Sequence, residues 1–350
     1  MPDPNLSGRE LREMVHAAQL YYRQQKHQNE IAKALGISSS KVSRLLKRAF
    51  ADGLIRVELD LPKQPRLESE LVDRFGLRDA VVIPTGDEQE IKEDLGAAAA
   101  RYFEKIAANG VRVGLSCGFT LYQTIRQLRD HRLRDLTLYP LSGESTLKLV
   151  DLFPNTLVGM MAAKYRPHVT AYALPVQLFG KLQEVERERK RLLQNPEVRR
   201  IYDEDQQVDI VLVGIGMIGE ETPGFCSLAE SCGVSVRTLR ALGVVGEINY
   251  QPFDRSGEIV AKKELTTLTR RVLAVTAERL REMSRQYAKH VIAVAGGREK
   301  LEAILGALRG KFFNVLVTDE ETALRLLERD AEPPASGEKK IRRKKTPARR

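Results

Sequence analysis

The spacing from Ala32 to Gly36, inside Gln28-Asn29-Glu30-Ile31-Ala32-Lys33-Ala34-Leu35-Gly36-Ile37-Ser38, constrains this chain more than any other feature. Two helices that meet at a steep angle need a small residue where they approach, and Ala32 supplies it. Four positions on, the turn needs a residue that tolerates left-handed backbone angles, and Gly36 does. Ile37 then fills the core beneath the turn. Ser38 or Ser39 can accept a hydrogen bond from the free N–H groups that open the next helix. In that helix Val42, Leu45 and Leu46 recur at the spacing of a buried stripe. Ser39, Ser40, Lys41, Ser43, Arg44, Lys47 and Arg48 are left facing outward. Small hydroxyls near the N-terminus with cations behind them form the face a recognition helix offers to phosphates and guanine edges. With Gln28 at the start of the first helix, they are the expected DNA-binding residues. A support helix over 11–22 and a strand over 53–59, the beginning of a wing, complete the expected module. An ordinary basic αα-hairpin would show the periodicity without the capping serines or the Ala–Gly spacing.

Charge supports this division of labour. The formal net charge is +10, and it sits at the ends of the chain. Residues 1–66 hold 12 Lys/Arg against 7 Asp/Glu, and the last twenty residues hold 8 Lys/Arg against Glu332 and Glu338. The stretch between is close to neutral, which fits a polyanion-binding part and a separate small-molecule part. The tail from 331 reads as a disordered, solvated end that can add salt-sensitive attraction to DNA. At 350 residues and 42% apolar composition the chain is long enough for two domains. No run of eighteen apolar residues and no secretory signal is visible, so the expected location is cytoplasmic and away from membranes. Cys117, Cys226 and Cys232 carry no metal-ligand spacing and read as cytosolic thiols; no metal or cofactor is expected.

Pro62-Lys63-Gln64-Pro65 closes the first domain, 1–61, and a short amphipathic linker helix over 62–76 ends at Gly76. From 77 to 330 apolar runs at 80–83, 111–115, 136–139, 171–174, 210–213, 291–295 and 315–317 alternate with helical patterns. Those patterns lie at 91–106, 121–128, 181–193, 197–206, 268–283 and 300–308. The alternation predicts an α/β domain built on an open, mostly parallel sheet. Four Gly-containing turns follow apolar runs: Gly114–Thr120, Leu141-Ser142-Gly143-Glu144, Gly214-Ile215-Gly216-Met217 and Ala295-Gly296-Gly297 leading to Lys300. They fall at the carboxyl ends of strands, where open α/β sheets bind ligands. N–H groups at a loop entering a helix, hydroxyls from Ser116 and Thr120, and the ammonium of Lys300 suit a phosphate.

Tyr21-Tyr22, residues 28–32, 35–38 and 41–46, and Asp52-Gly53-Leu54-Ile55 resemble the SorC family of bacterial sugar-responsive regulators, and the similarity continues to about Leu327. The resemblance implies a winged helix-turn-helix followed by a Rossmann-like domain similar to the glucosamine-6-phosphate deaminase and ribose-5-phosphate isomerase fold. It also implies a phosphorylated-sugar effector, an operator on double-stranded DNA, and a homodimer or homotetramer. The family associates the loop Gly114–Thr120 and Lys300 with the phosphate, and Asp254 in Phe253-Asp254-Arg255-Ser256-Gly257 with sugar hydroxyls. The expected effector residues are thus Ser116, Gly118, Thr120, Gly143, Gly216, Asp254, Gly297 and Lys300. Cys117, Phe119 and Glu144 depart from the family's common pattern.

Two other readings compete. The loop at Ser116 satisfies G-x-S-x-G, the hydrolase nucleophile-elbow signature, but His131, His168 and His290 sit in no recognisable active-site loop. A sugar-phosphate isomerase or deaminase would need a carboxylate base such as Asp254 or Glu144, and no histidine is placed beside either. The chain is therefore expected not to be an enzyme. A DNA-binding protein whose central domain only assembles oligomers is the remaining alternative.

Overall fold

The computed structural model describes residues 8–52, 54–55, 64–129, 133–143, 150–174, 178, 181–205, 207–219 and 224–331. The expected wing strand (except Leu54 and Ile55), the start of the linker, His131, Glu144 and the basic tail from 332 lie outside these residues. The chain divides into two compact units, 1–61 and 62–350.

The first unit is helical: α1 (Gly8–Ala18), a π-helical turn (Gln19–Arg23), α2 (Gln28–Leu35) and α3 (Ser39–Ala51). Met14, Ala17, Leu20, Ile31, Ala32, Val42, Leu45, Leu46 and Ala49 form its core, and Ile37 packs against them. Gly36 ends α2 at φ 64°, and Ser38 caps α3 by accepting from Lys41 N–H at 3.2 Å. The support helix differs from expectation at its end. Widening into a π turn keeps Leu20 in the core and leaves Tyr21 and Tyr22 exposed. Leu54 and Ile55 are not in a strand; their N–H groups bond back to Ala49 C=O and finish α3.

The second unit is a seven-stranded parallel sheet with helices on both faces. Its strands are β1 (Asp79–Ile83), β2 (Arg112–Leu115), β3 (Leu136–Pro140), β4 (Val169–Ala171), β5 (Ile210–Val213), β9 (His290–Val294) and β10 (Val315–Asp319). They lie in the order β1-β10-β9-β5-β2-β3-β4. The central strands are apolar on both faces, as a sheet covered twice requires. Val211, Val213, Val291 and Ala293 point into the main core with Leu67 and Leu71 of α4 (Pro65–Phe75), so the expected linker helix is part of this unit's core. In chain order the remaining helices are α5 (Glu88–Ile106), α6 (Phe119–Gln127), α7 (Pro154–Tyr165), α8 (Leu182–Leu192), α9 (Pro196–Asp205), α10 (Phe225–Ser231) and α11 (Val236–Ala241). They are followed by α12 (Lys263–Arg270), α13 (Ala277–Ser284), α14 (Leu301–Arg309) and α15 (Glu320–Ala331).

Three expectations need correction. The strand expected at 171–174 runs instead over Val169–Ala171; Leu174 is buried, but its backbone is bracketed by the Asn155 side-chain amide rather than by a neighbouring strand. The single helix expected at 268–283 is two, because Thr276 caps α13 by accepting from Arg279 N–H. The strap between them pairs with the end of β3, through Gly143 N–H to Leu273 C=O and Val275 N–H to Leu141 C=O. Third, a small antiparallel sheet was not expected at all: β6 (Gly216–Met217), β7 (Val244–Ile248) and β8 (Gln251–Asp254), in that order.

Candidate functional site

From β2 the chain steps through β3 to β4, then returns to β5 on the other side of β2 and continues outward to β9 and β10. The direction of winding therefore reverses between β2 and β5, whose carboxyl ends open a crevice of the kind that binds ligands in such sheets. The turn after β2 forms one lip. Ser116 is 2% exposed and donates its hydroxyl to Asn249 Oδ1 at 2.9 Å. Asn249, left-handed at φ 48°, donates in turn to Leu141 C=O and Val275 C=O. Ser116 thus fastens the ends of β2 and β3 and the strap together. Gly118 opens α6 at φ 131°, a conformation glycine adopts readily, and donates its N–H to Leu152 C=O. Thr120, in the first turn of α6, has a buried side chain whose hydroxyl bonds to no described residue.

The turn after β9 forms another lip. Asp319, at the end of β10 and 1% exposed, accepts from Gly297 N–H, Thr322 N–H and the Thr322 hydroxyl. A Cβ on Gly296 would collide with the same carboxylate. The Gly296-Gly297 turn is held from behind, so the Gly297 N–H is already committed, as is that of Gly143. What the turn presents forward is Lys300. Its ammonium makes no hydrogen bond or ion pair with a described residue. Burial, with the charge of Lys92, pushes its pKa down, while Glu299 and Glu247 act the other way.

Glu247, which sequence reasoning missed, is brought to the crevice by the pairing of β7 with β6 at Gly216. Its Oε2 accepts from Tyr250 N–H at 2.8 Å. Oε1 occupies the space a side chain at Gly216 would fill and receives no hydrogen bond from a described residue. Burial raises its pKa to about 7, against the opposing pull of the Tyr250 N–H and Lys300. Gly216, Lys300 and Cys117, the last in the loop that also carries Ser116 and Gly118 and leads to Thr120, thus lie around Glu247. Asp254 pairs with Val244, toward the other end of the β7–β8 ladder from Glu247. Its Oδ1 accepts from Ser256 N–H, the Ser256 hydroxyl and Glu258 N–H, and its carbonyl lies against Gly306, in the later part of α14. A separate cleft of 310 Å³ between α8, β8 and α12 contains none of these residues. Arg189, Thr266 and Thr269 on its wall already bond to neighbouring backbone carbonyls.

Neither His168 nor His290 supports the hydrolase reading. Ser116 follows the carboxyl end of β2, whereas His290 begins β9 and His168 precedes β4, both at the opposite edge of the sheet. Among the described residues no group of three or more His, Cys, Asp or Glu is placed to hold a metal, and no helix is long and apolar enough to cross a membrane.

On the first unit, Ser40, Arg44 and Lys47 are exposed at intervals of four and three, one stripe along α3, with Ser43 half-buried beside them. Gln28 opens α2. The other expected contacts are engaged within the unit: Lys41 Nζ bonds Glu13 at 2.7 Å, the Ser39 hydroxyl donates to Asn29 at 2.7 Å, and Arg48 pairs with Asp52 at 3.5 Å.

A helix-turn-helix with an exposed cationic stripe, on one chain with a doubly wound α/β unit, is the make-up of a ligand-responsive transcription regulator. The family model described as "Putative sugar-binding domain" matches residues 61–328. The sorbitol operon regulator of Klebsiella pneumoniae is 30% identical over 328 residues, 91% of this chain and 98% of its own. The deoxyribonucleoside regulator of Bacillus subtilis is 29% identical over 321 residues, 89% of this chain and 96% of its own. The crystal structure of full-length SorC from K. pneumoniae shares the fold with a TM-score of 0.65 at 29% identity, over 91% of this chain and all of that one. The chain belongs to the SorC family of transcriptional regulators, and its relatives are regulators, not enzymes.

Proposed function

We propose that this regulator binds a phosphorylated sugar in the crevice between β2 and β5, and that this binding sets its affinity for operator DNA. The observation that carries the reading is the Lys300 ammonium, half-buried and bonded to no described residue, at the start of α14. A half-buried cation without a protein partner is partly stripped of water, and an anion beside it relieves that cost. Thr120 and the first turn of α6 offer a hydroxyl and further N–H groups on the facing lip. The relatives' names, for sorbitol and deoxyribonucleosides, support a sugar or polyol as the rest of the ligand. On the DNA side, Ser40, Ser43, Arg44 and Lys47 face the major groove, with Gln28 at its rim. A homodimer or homotetramer reads half-sites about 34 Å or a multiple apart.

A thermal-shift screen of phosphorylated sugars against their unphosphorylated parents tests the effector, followed by gel shifts with any hit. Phosphorylated compounds raise Tm and change operator affinity, and Lys300→Met abolishes both responses. Equal shifts from the parent sugars, or a full response in Lys300→Met, would refute the phosphate reading.

A further inference from the structure

Lys300 and Glu247 present opposite charges to one crevice, and each acts on the other's titration. Yet they do not form an ion pair, and neither the ammonium nor Oε1 has a partner among the described residues. An anion arriving at Lys300 would meet a carboxylate. Two negative groups in one half-buried crevice cannot both stay ionised without cost. We propose that Glu247 is a second anchor for the effector's anionic group: it binds as a neutral carboxyl, donating a hydrogen bond from Oε1, so that anion binding takes up one proton from solvent. This rests on the effector reading above.

Geometry supports the assignment. Gly216 leaves room for Oε1 at the crevice, and the Tyr250 N–H fixes Oε2 as acceptor, which leaves Oε1 to carry the proton. Among the described residues the groups facing Glu247 are few. Lys300 comes from the turn before α14, Cys117 from the loop after β2 and Cys226 from α10. β6 contributes only Gly216 and Met217, and Pro252 pairs with Glu247 from β8. Burial, with the charge of Glu247, lifts the Cys117 thiol to about 11, and Cys226 is likewise raised, so neither is charged at neutral pH. Among the described residues Lys300 is then the facing group whose charge opposes proton uptake.

Sulfate is the probe, because its own charge does not change over the range used. Thermal-shift titrations of the full chain with sodium sulfate run from pH 6 to 9, with Lys300→Met subtracted to remove the general salting effect of sulfate. The wild-type chain loses about tenfold in sulfate affinity per pH unit once Glu247 is ionised, the signature of one linked proton. Glu247→Gln, a fixed neutral isostere that keeps an acceptor for Tyr250, binds at pH 8 at least tenfold more tightly than wild type and without that slope. An unchanged slope in Glu247→Gln would assign the pH dependence to Lys300 and overturn the proposal. So would weaker binding by Glu247→Gln across the whole range, since the carboxylate form would then be the one in use. If Lys300→Met responds to sulfate as wild type does, the anion site itself is wrong and the effector reading falls first.

Discussion

Arg44 and Glu247 differ in how far their surroundings can be read from the chain. Arg44 lies two residues from Val42 and one from Leu45, so helical period alone turns it outward, and the structure leaves it exposed with Lys47. Arg44→Ala is expected to weaken operator binding by about 1–3 kcal/mol, the usual range for one side chain that reads a base edge, without lowering Tm. Unchanged gel-shift affinity would remove Arg44 from the interface. Lys41 was no less legible as a cation, but its pairing with Glu13 depends on α1 crossing α3, which no local pattern encodes. Glu247 was invisible for the same reason: its position is set by a pairing with Gly216, thirty-one residues away. It also carries a stability prediction. Its folded pKa of about 7 lies above the ordinary 4.5, so between those values the folded state holds a proton that the unfolded state has released. Stability from this group is complete below about 4.5 and falls as pH rises toward 7. Denaturant unfolding of Glu247→Gln over this range should show a smaller decline than wild type; parallel curves would contradict the buried carboxyl.

Elements were legible where burial was complete and opaque where pairing was short. The fully apolar runs of β5, β9 and β10 can only be interior parallel strands, and the sequence pattern located them to within a residue or two. The small sheet escaped because β6 is two residues long, and because β7 alternates exposure and was not separable from the flanking loops. α12 and α13 fused into one expected helix because Val272-Leu273-Ala274-Val275 continues an apolar pattern, while the strap needs the end of β3 to explain it. Two caps test this level. Ser38→Ala removes the acceptor for Lys41 N–H, and the helical unit should be destabilised by about 1 kcal/mol. Asp319→Ala strands the buried Thr322 N–H and leaves the Gly297 N–H with the Thr322 hydroxyl alone, at a cost of about 1–3 kcal/mol. It should also blunt the effector's thermal shift, because the turn that presents Lys300 is no longer held. A variant as stable as wild type would show that the turn holds itself.

Over the whole molecule, charge is distributed according to task. Twelve of the 57 Lys/Arg lie in the first 66 residues and eight in the last twenty, so the two ends carry a surplus while the sheet-bearing stretch is balanced by its own acids. A ligand receptor gains nothing from a strong general field, whereas DNA association does, because each phosphate neutralised releases counterions. The two basic ends should nevertheless contribute in different ways. In the proposed reading, side chains of α3 meet the duplex in a fixed geometry and discriminate among sequences, while the terminal lysines and arginines have no regular pattern with which to read bases. Deleting 332–350 should therefore lower affinity for specific and random duplexes by the same factor at low salt, and the difference should vanish as salt is raised. The slope of log K against log salt becomes shallower by about 0.9 for each phosphate that the tail no longer neutralises, with the ratio of specific to random binding unchanged. Fluorescence-anisotropy titrations at four salt concentrations separate the cases. An identical slope would show that the tail does not touch DNA, and a fall in the specificity ratio would show that it reads sequence as well as charge.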